Sequence, residues 1–122
     1  MEKFVYGDKP YSDPIEFVMD RVGNVWKLSI LWLLKDQVLR YGELKKSIDR
    51  ISHKMLTSQL RQLEEDGFIL RKLYHEVPPK VEYSITRQGR KAIRVVEVLH
   101  EYGLELMDTL DVKQVNPTTS EQ

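Results

Sequence analysis

The chain is 122 residues long, 41% apolar and 31% charged, a length and composition suited to one ordinary globular domain. It holds 19 Lys and Arg against 19 Asp and Glu, and no cysteine, so disulfides and thiolate metal sites within these residues are excluded and bulk charge names no partner. No run reaches the roughly 18 apolar residues that a membrane span needs, and Met1-Glu2-Lys3-Phe4 opens no long apolar signal region; the reading is a soluble, cytoplasmic chain with no membrane contact.

The charges are unevenly spread. Between Arg40 and Arg94 stand 13 Lys and Arg against 7 Asp and Glu, a surplus that the two ends cancel. A basic middle between acidic ends points to a face for a polyanion.

In chain order, residues 1–12 are polar and turn-rich, with Gly7 and Pro10, and read as a flexible N-terminal arm. Asp13-Pro14-Ile15-Glu16 starts a helix. Asp13 caps it, Pro14 suits its first position, and Glu16 stands where a capping box closes. Ile15, Val18, Met19 and Val22 share one face, and Gly23 ends the helix. Asn24 caps a second helix over 25–35, apolar nearly all round from Trp26 to Leu34, as a buried central helix is. A short amphipathic helix over 41–48 turns Leu44 and Ile48 inward. After the turn Asp49-Arg50-Ile51, Ser52 caps a fourth helix with Leu56, Leu60 and Leu63 inward and Gly67 at its end.

Two strands follow, over 68–74 and 81–85; in the second, Val81, Tyr83 and Ile85 alternate with Glu82 and Ser84. The link between them contains Pro78-Pro79 and reads as a stiff, extended hairpin tip. Thr86 caps a last helix running to about Leu110, roughly 37 Å at ~1.5 Å per residue. Ala92, Val96, Leu99, Gly103, Leu106 and Leu110 make a seam of alternating four- and three-residue steps. Val95, Val98 and Tyr102 add a second apolar face. That is more apolar surface than one small domain can cover, so a second copy of the chain is expected on it. One domain, 13–111, is read, followed by a disordered tail over 112–122.

The order predicts a mainly α fold with a small β-hairpin (α+β): a winged helix-turn-helix with a long terminal dimerisation helix. The helix after Ser52 is then the recognition helix. Its outer side carries His53, Lys54, Thr57, Ser58 and Arg61, with no acid before Glu64. Lys54 and Arg61 suit phosphates or guanine edges, and the Ser52 end offers free backbone N–H groups to a phosphate. Arg40, ahead of the third helix, joins this basic set, and Lys80 and His75 on the wing suit a minor groove or a phosphate backbone.

Against an enzyme, the three histidines, His53, His75 and His100, are scattered, and no metal-ligand spacing, Gly-rich phosphate loop or nucleophile elbow is present. No catalytic residue, metal or cofactor is expected. The rival reading is a winged-helix module that binds protein instead of DNA, since fold alone permits it. Trp26 and Trp32 read as core residues before they read as the walls of an effector pocket, so a small-molecule effector stays unidentified.

Several separated motifs fall in one order: Pro14-Ile15-Glu16, the run Val22 to Leu28, Arg40-Tyr41-Gly42-Glu43-Leu44, the run Ile51 to Gly67, and Glu76 to Thr86 with Gly89. Over about 13–103 the chain resembles the HxlR family of winged-helix transcription regulators. The resemblance implies a DNA-binding homodimer on a pseudo-palindromic operator, more often a repressor. It also implies an interface built by the first and last helices, which adds Ile15, Val18 and Met19 to the seam residues Val96, Leu99, Gly103, Leu106 and Leu110. Many members carry a sensing cysteine just before the Pro-Val/Ile-Glu motif. Asp13 stands there in this chain, so the thiol switch is not carried over.

Overall fold

The computed structural model describes residues 2–113. Its elements are β1 (Phe4–Tyr6), β2 (Lys9–Tyr11), α1 (Pro14–Val22), α2 (Val25–Leu34), β3 (Leu39–Arg40), α3 (Tyr41–Ser47), α4 (His53–Glu65), β4 (Ile69–Tyr74), β5 (Lys80–Ile85) and α5 (Arg87–Thr109). β1 pairs with β2, and β3, β5 and β4 form a second antiparallel sheet in that order. Expected residues 112 and 113 follow the last helix, and Val112 N–H donates to the Met107 carbonyl; the rest of the expected tail lies outside the described residues.

α2 is the axle. Ile30, Leu31 and Leu34 are sealed from solvent, and the helix contacts α4, α5 and β5. Asn24 Oδ1 caps it by accepting from Lys27 N–H at 2.9 Å, and at the other end Arg90 of α5 donates to the Lys35 carbonyl at 3.1 Å. α4 presents Leu56, Leu60 and Leu63 to the same core. Each such leucine is worth about 2–5 kcal/mol against alanine.

The end of the wing is tied to the start of α5. Thr86 Oγ accepts from Gly89 N–H at 3.0 Å and donates to the Gly67 carbonyl at 2.6 Å. Gly67 takes the left-handed backbone expected after α4, with φ +81. Gly89 is needed for contact: a Cβ there would sit 2.2 Å from the Phe68 carbonyl oxygen.

In secondary structure and capping, the structure departs from the sequence reading in three places. Residues 4–11 are not a loose arm but a hairpin turning at Gly7-Asp8. The physical reason is aromatic: Phe4 stacks on Tyr11 with centroids 5.4 Å apart, and Phe17 of α1 meets both edge-on. Pro10 is tolerated because neither strand of so short a ribbon is central. Second, Glu16 closes on Ser12 N–H at 3.0 Å, one residue earlier than expected, while Asp13 caps Ile15 N–H at 2.7 Å. Third, β3 was not foreseen; two residues, Leu39 and Arg40, pair with Tyr83 and Glu82, too short a run for any periodic signal.

Beneath the hairpin, Tyr11 is buried and its hydroxyl donates to Asp20 Oδ2 at 2.6 Å, while Lys9 Nζ lies 3.1 Å from the same oxygen. The Tyr11 hydrogen bond first, then that of Lys9, holds the Asp20 carboxyl below its ordinary range. The same contacts push the Tyr11 phenol and the Lys9 ammonium up. A depressed Asp20 stabilises the hairpin above the ordinary carboxylate range, and this is lost as pH falls through its folded value. The raised Tyr11 and Lys9 stabilise it below their ordinary values of 10.0 and 10.5, and this is lost as pH rises beyond them. On acidification the ring-proton shifts of Phe4 and Tyr11 will move together in one transition that Asp20→Asn removes. Shifts indifferent to acid in the unaltered chain would refute this coupling.

Candidate nucleic-acid interface

α4 exists where it does because its two sides differ chemically. Every third or fourth residue is a buried leucine, and Ser52 Oγ accepts from Met55 N–H at 3.0 Å to start it. The outer side is thereby fixed. Ser52, His53, Lys54, Thr57 and Arg61 are exposed along it. Ser58 is half-buried, and its hydroxyl accepts from Gln62 Nε2 at 3.2 Å. Gln59, on the inner side, is buried and accepts from Asn24 Nδ2 at 3.0 Å, locking α4 to the start of α2.

Sequence reading missed Tyr41. Its hydroxyl lies 3.0 Å from His53 Nδ1, 3.2 Å from the His53 carbonyl and 3.3 Å from Thr57 Oγ1, and its ring stacks on the His53 imidazole at 5.9 Å. One phenol from the first residue of α3 thus braces the first turn of α4. Nothing in the sequence periodicity signals a contact across twelve positions. Thr57 and one nitrogen of His53 are held by this hub, which leaves Lys54 and Arg61 as the free cations of the helix.

The other expected contacts are less alike. Arg40 is exposed at the start of α3, where its N–H donates to Glu43 Oε1 at 2.8 Å. Lys80 is half-buried; its ammonium sits 4.3 Å from the Tyr74 ring centroid and 3.9 Å from Glu82 Oε2. Lys72 Nζ lies over the same ring at 4.8 Å. The wing base is therefore an aromatic flanked by two lysines, of which sequence reading named one.

On the expected dimer surface, Ile15, Val18 and Met19 are exposed on α1, and Leu99, Leu106 and Leu110 on α5. Gly103 has open space beside it. Val96 is corrected: at 7% exposure it belongs to the chain's own interior, with Ile93. The reason is that the first half of α5 covers α2 and β5, so the seam is free only from Leu99 onward. Trp26 packs against the core, whereas Trp32 stacks on His100 at 4.8 Å. Both line a groove of about 580 Å³ between α2 and α5. Among the described residues no helix is long and apolar enough to cross a membrane, and no group of three or more His, Asp or Glu is placed to hold a metal.

Known proteins resemble this chain in sequence and in fold. The HxlR-like helix-turn-helix family matches residues 21–111. The uncharacterized HTH-type transcriptional regulator YybR of Bacillus subtilis is 37% identical over 121 residues, 99% of this chain and 96% of that protein. An uncharacterized HTH-type transcriptional regulator of Methanothermobacter thermautotrophicus is 41% identical over 97 residues, 80% of this chain and 74% of that protein. Among solved structures, the redox regulator HypR in its reduced form superimposes with a TM-score of 0.77 at 40% identity, covering 83% of this chain and 100% of that one. The likeness to HypR lends no support to the expectation that this chain is not a redox sensor. The family and these relatives are regulators, not enzymes.

Replacing Tyr41 by Phe will lower stability by about 1 kcal/mol, the net worth of a typical hydrogen bond, and will speed amide exchange at the first turn of α4. Unaltered exchange there would remove Tyr41 from its bracing role. By the match over residues 21–111 and the likeness along nearly its whole length to YybR, this chain belongs to the HxlR-like helix-turn-helix family of winged-helix transcription regulators.

Proposed function

We propose that the chain is a sequence-specific DNA-binding transcription regulator, a repressor that acts as a homodimer on a pseudo-palindromic operator. The observation that carries this is the outer side of α4: a row from Ser52 to Arg61, exposed except at half-buried Ser58, with two cations unpaired among the described residues and no acid. In a winged helix such a helix enters the major groove, where Lys54 meets base edges or phosphates. The wing from Lys72 to Lys80 then lies along the adjoining backbone. In the dimer, α1 through Ile15, Val18 and Met19, and α5 through Leu99, Gly103, Leu106 and Leu110, face their copies. The unmatched exposure of these apolar side chains supports that reading.

HypR is a redox regulator, yet a thiol switch needs a cysteine, and these 122 residues contain none. Asp13, in the place of the family's sensing cysteine, is occupied as a helix cap. We therefore propose control by a route other than thiol chemistry; the groove at Trp32 has the room that a small effector needs.

Duplexes selected by the chain from genomic fragments test this function. Affinity for them will fall steeply with salt, as phosphate neutralisation requires, and Lys54→Ala will weaken binding by ~1–3 kcal/mol. Binding of a protein partner that ignores salt, with no duplex recovered, would favour the protein-interaction module instead. Separately, Leu99→Glu will convert the dimer to a folded monomer on sizing chromatography. A variant still dimeric would exclude the α5 seam.

A further inference from the structure

Beside the recognition helix, where α4 meets the inner side of β4 and the start of α3, lies a recess of about 390 Å³ walled by Tyr41, Thr57, Arg61, Glu64, Arg71 and Tyr83. It is the polar counterpart of the groove at the tryptophans. Its position follows from strand alternation. Ile69, Arg71 and Leu73 share one side of β4; Ile69 is buried, and Arg71, opposite Tyr83, emerges where the sheet runs past the core. Arg61 reaches the same space from the third turn of α4. Both guanidinium groups are exposed, and neither is ion-paired among the described residues.

We infer that this recess is a subsite for one backbone phosphate of the DNA, shared by Arg61 and Arg71. The inference rests on the DNA-binding reading above and sharpens it. Two like charges held at one recess repel, and an anion between them turns that repulsion into attraction. A guanidinium fork offers parallel N–H donors that match two phosphate oxygens. The recess lies between the outer row of α4 and the wing, so the phosphate it holds is the one at the edge of the groove that α4 enters. Glu64 is the opposing feature: it adds a negative charge to the wall. Arg61 is thereby assigned to registering the helix on the backbone, and base reading is left to the first turns of α4.

The test uses the whole chain and a duplex it recovers from a random-sequence pool, titrated over a range of salt. Arg71→Ala will lower the slope of log affinity against log salt by about 0.9, one phosphate's share. It will weaken the recovered duplex and a scrambled one by the same factor. Arg71→Lys will keep the slope and lose affinity, and Glu64→Gln will tighten both duplexes. In a duplex series with single neutral methylphosphonate linkages, one linkage per half-site will weaken the unaltered chain markedly and Arg71→Ala, which keeps only Arg61 there, clearly less. An unchanged slope in a folded Arg71→Ala variant, or no such linkage, would overturn the assignment while leaving DNA binding intact. Inorganic phosphate at fixed ionic strength will not displace the duplex; displacement would make the recess a site for free anions and overturn it too. If the unaltered chain recovers no duplex at all, it is the regulator reading that fails, a separate outcome.

Discussion

The interaction on which the rest depends is the burial of three leucines on one side of α4. Leu56, Leu60 and Leu63 are withdrawn from water against Ile30, Leu31 and Leu34 of α2. A helix rotated by a quarter turn would expose them and bury Lys54 or Arg61 instead, exchanging favourable apolar transfer for the desolvation of a charge. The rotation of α4 is therefore set by hydrophobic burial, and its polar side is what remains. The Asn24–Gln59 bond and the Tyr41 hub refine an orientation that the leucines have already chosen.

Much of this was legible in the sequence because the signals were local. Asp13, Asn24, Ser52 and Thr86 each cap the helix they precede, since a short polar side chain before an apolar period has one economical use. The alternation of Val81, Tyr83 and Ile85 located β5, and the leucine spacing located the outer row of α4. What escaped was held by contacts distant in sequence. The N-terminal hairpin depends on Phe17, β3 on β5, and the Tyr41 brace on a residue twelve positions away. Val96 was misplaced for a related reason: a repeating seam tells which residues share a side of a helix, and not how far along it the chain's own core extends. Arg71 was passed over because a strand residue at the edge of a sheet looks the same in sequence whether it faces solvent or a recess.

Charge is arranged on the same plan. A neutral chain with a basic middle can bind a polyanion without carrying a large overall field. The exposed cations Lys54, Arg61, Arg71 and Lys72 stand on α4 and β4, while α5 carries Glu97, Glu101 and Glu105 on its exposed side. Beneath the hairpin, Asp20 of α1 is neutralised by Lys9 and Arg21, which keeps that carboxylate engaged in structure. The two aromatic devices, Tyr41 on His53 and Tyr74 between Lys72 and Lys80, do on the recognition surface what leucines cannot: they hold polar groups in place while remaining polar themselves.

The knot at Thr86 has a mechanical consequence. Because one hydroxyl joins the end of α4 to the first turn of α5, and Gly89 lets the two backbones touch, the wing and the long helix form one stiff lever. The arm of 23 residues is about 34 Å at ~1.5 Å per residue. A tilt of about 5° at its root swings the far end by roughly 3 Å. Any body that grips the outer half of α5 thus sets, through simple leverage and without touching it, the angle at which the recognition surface is held.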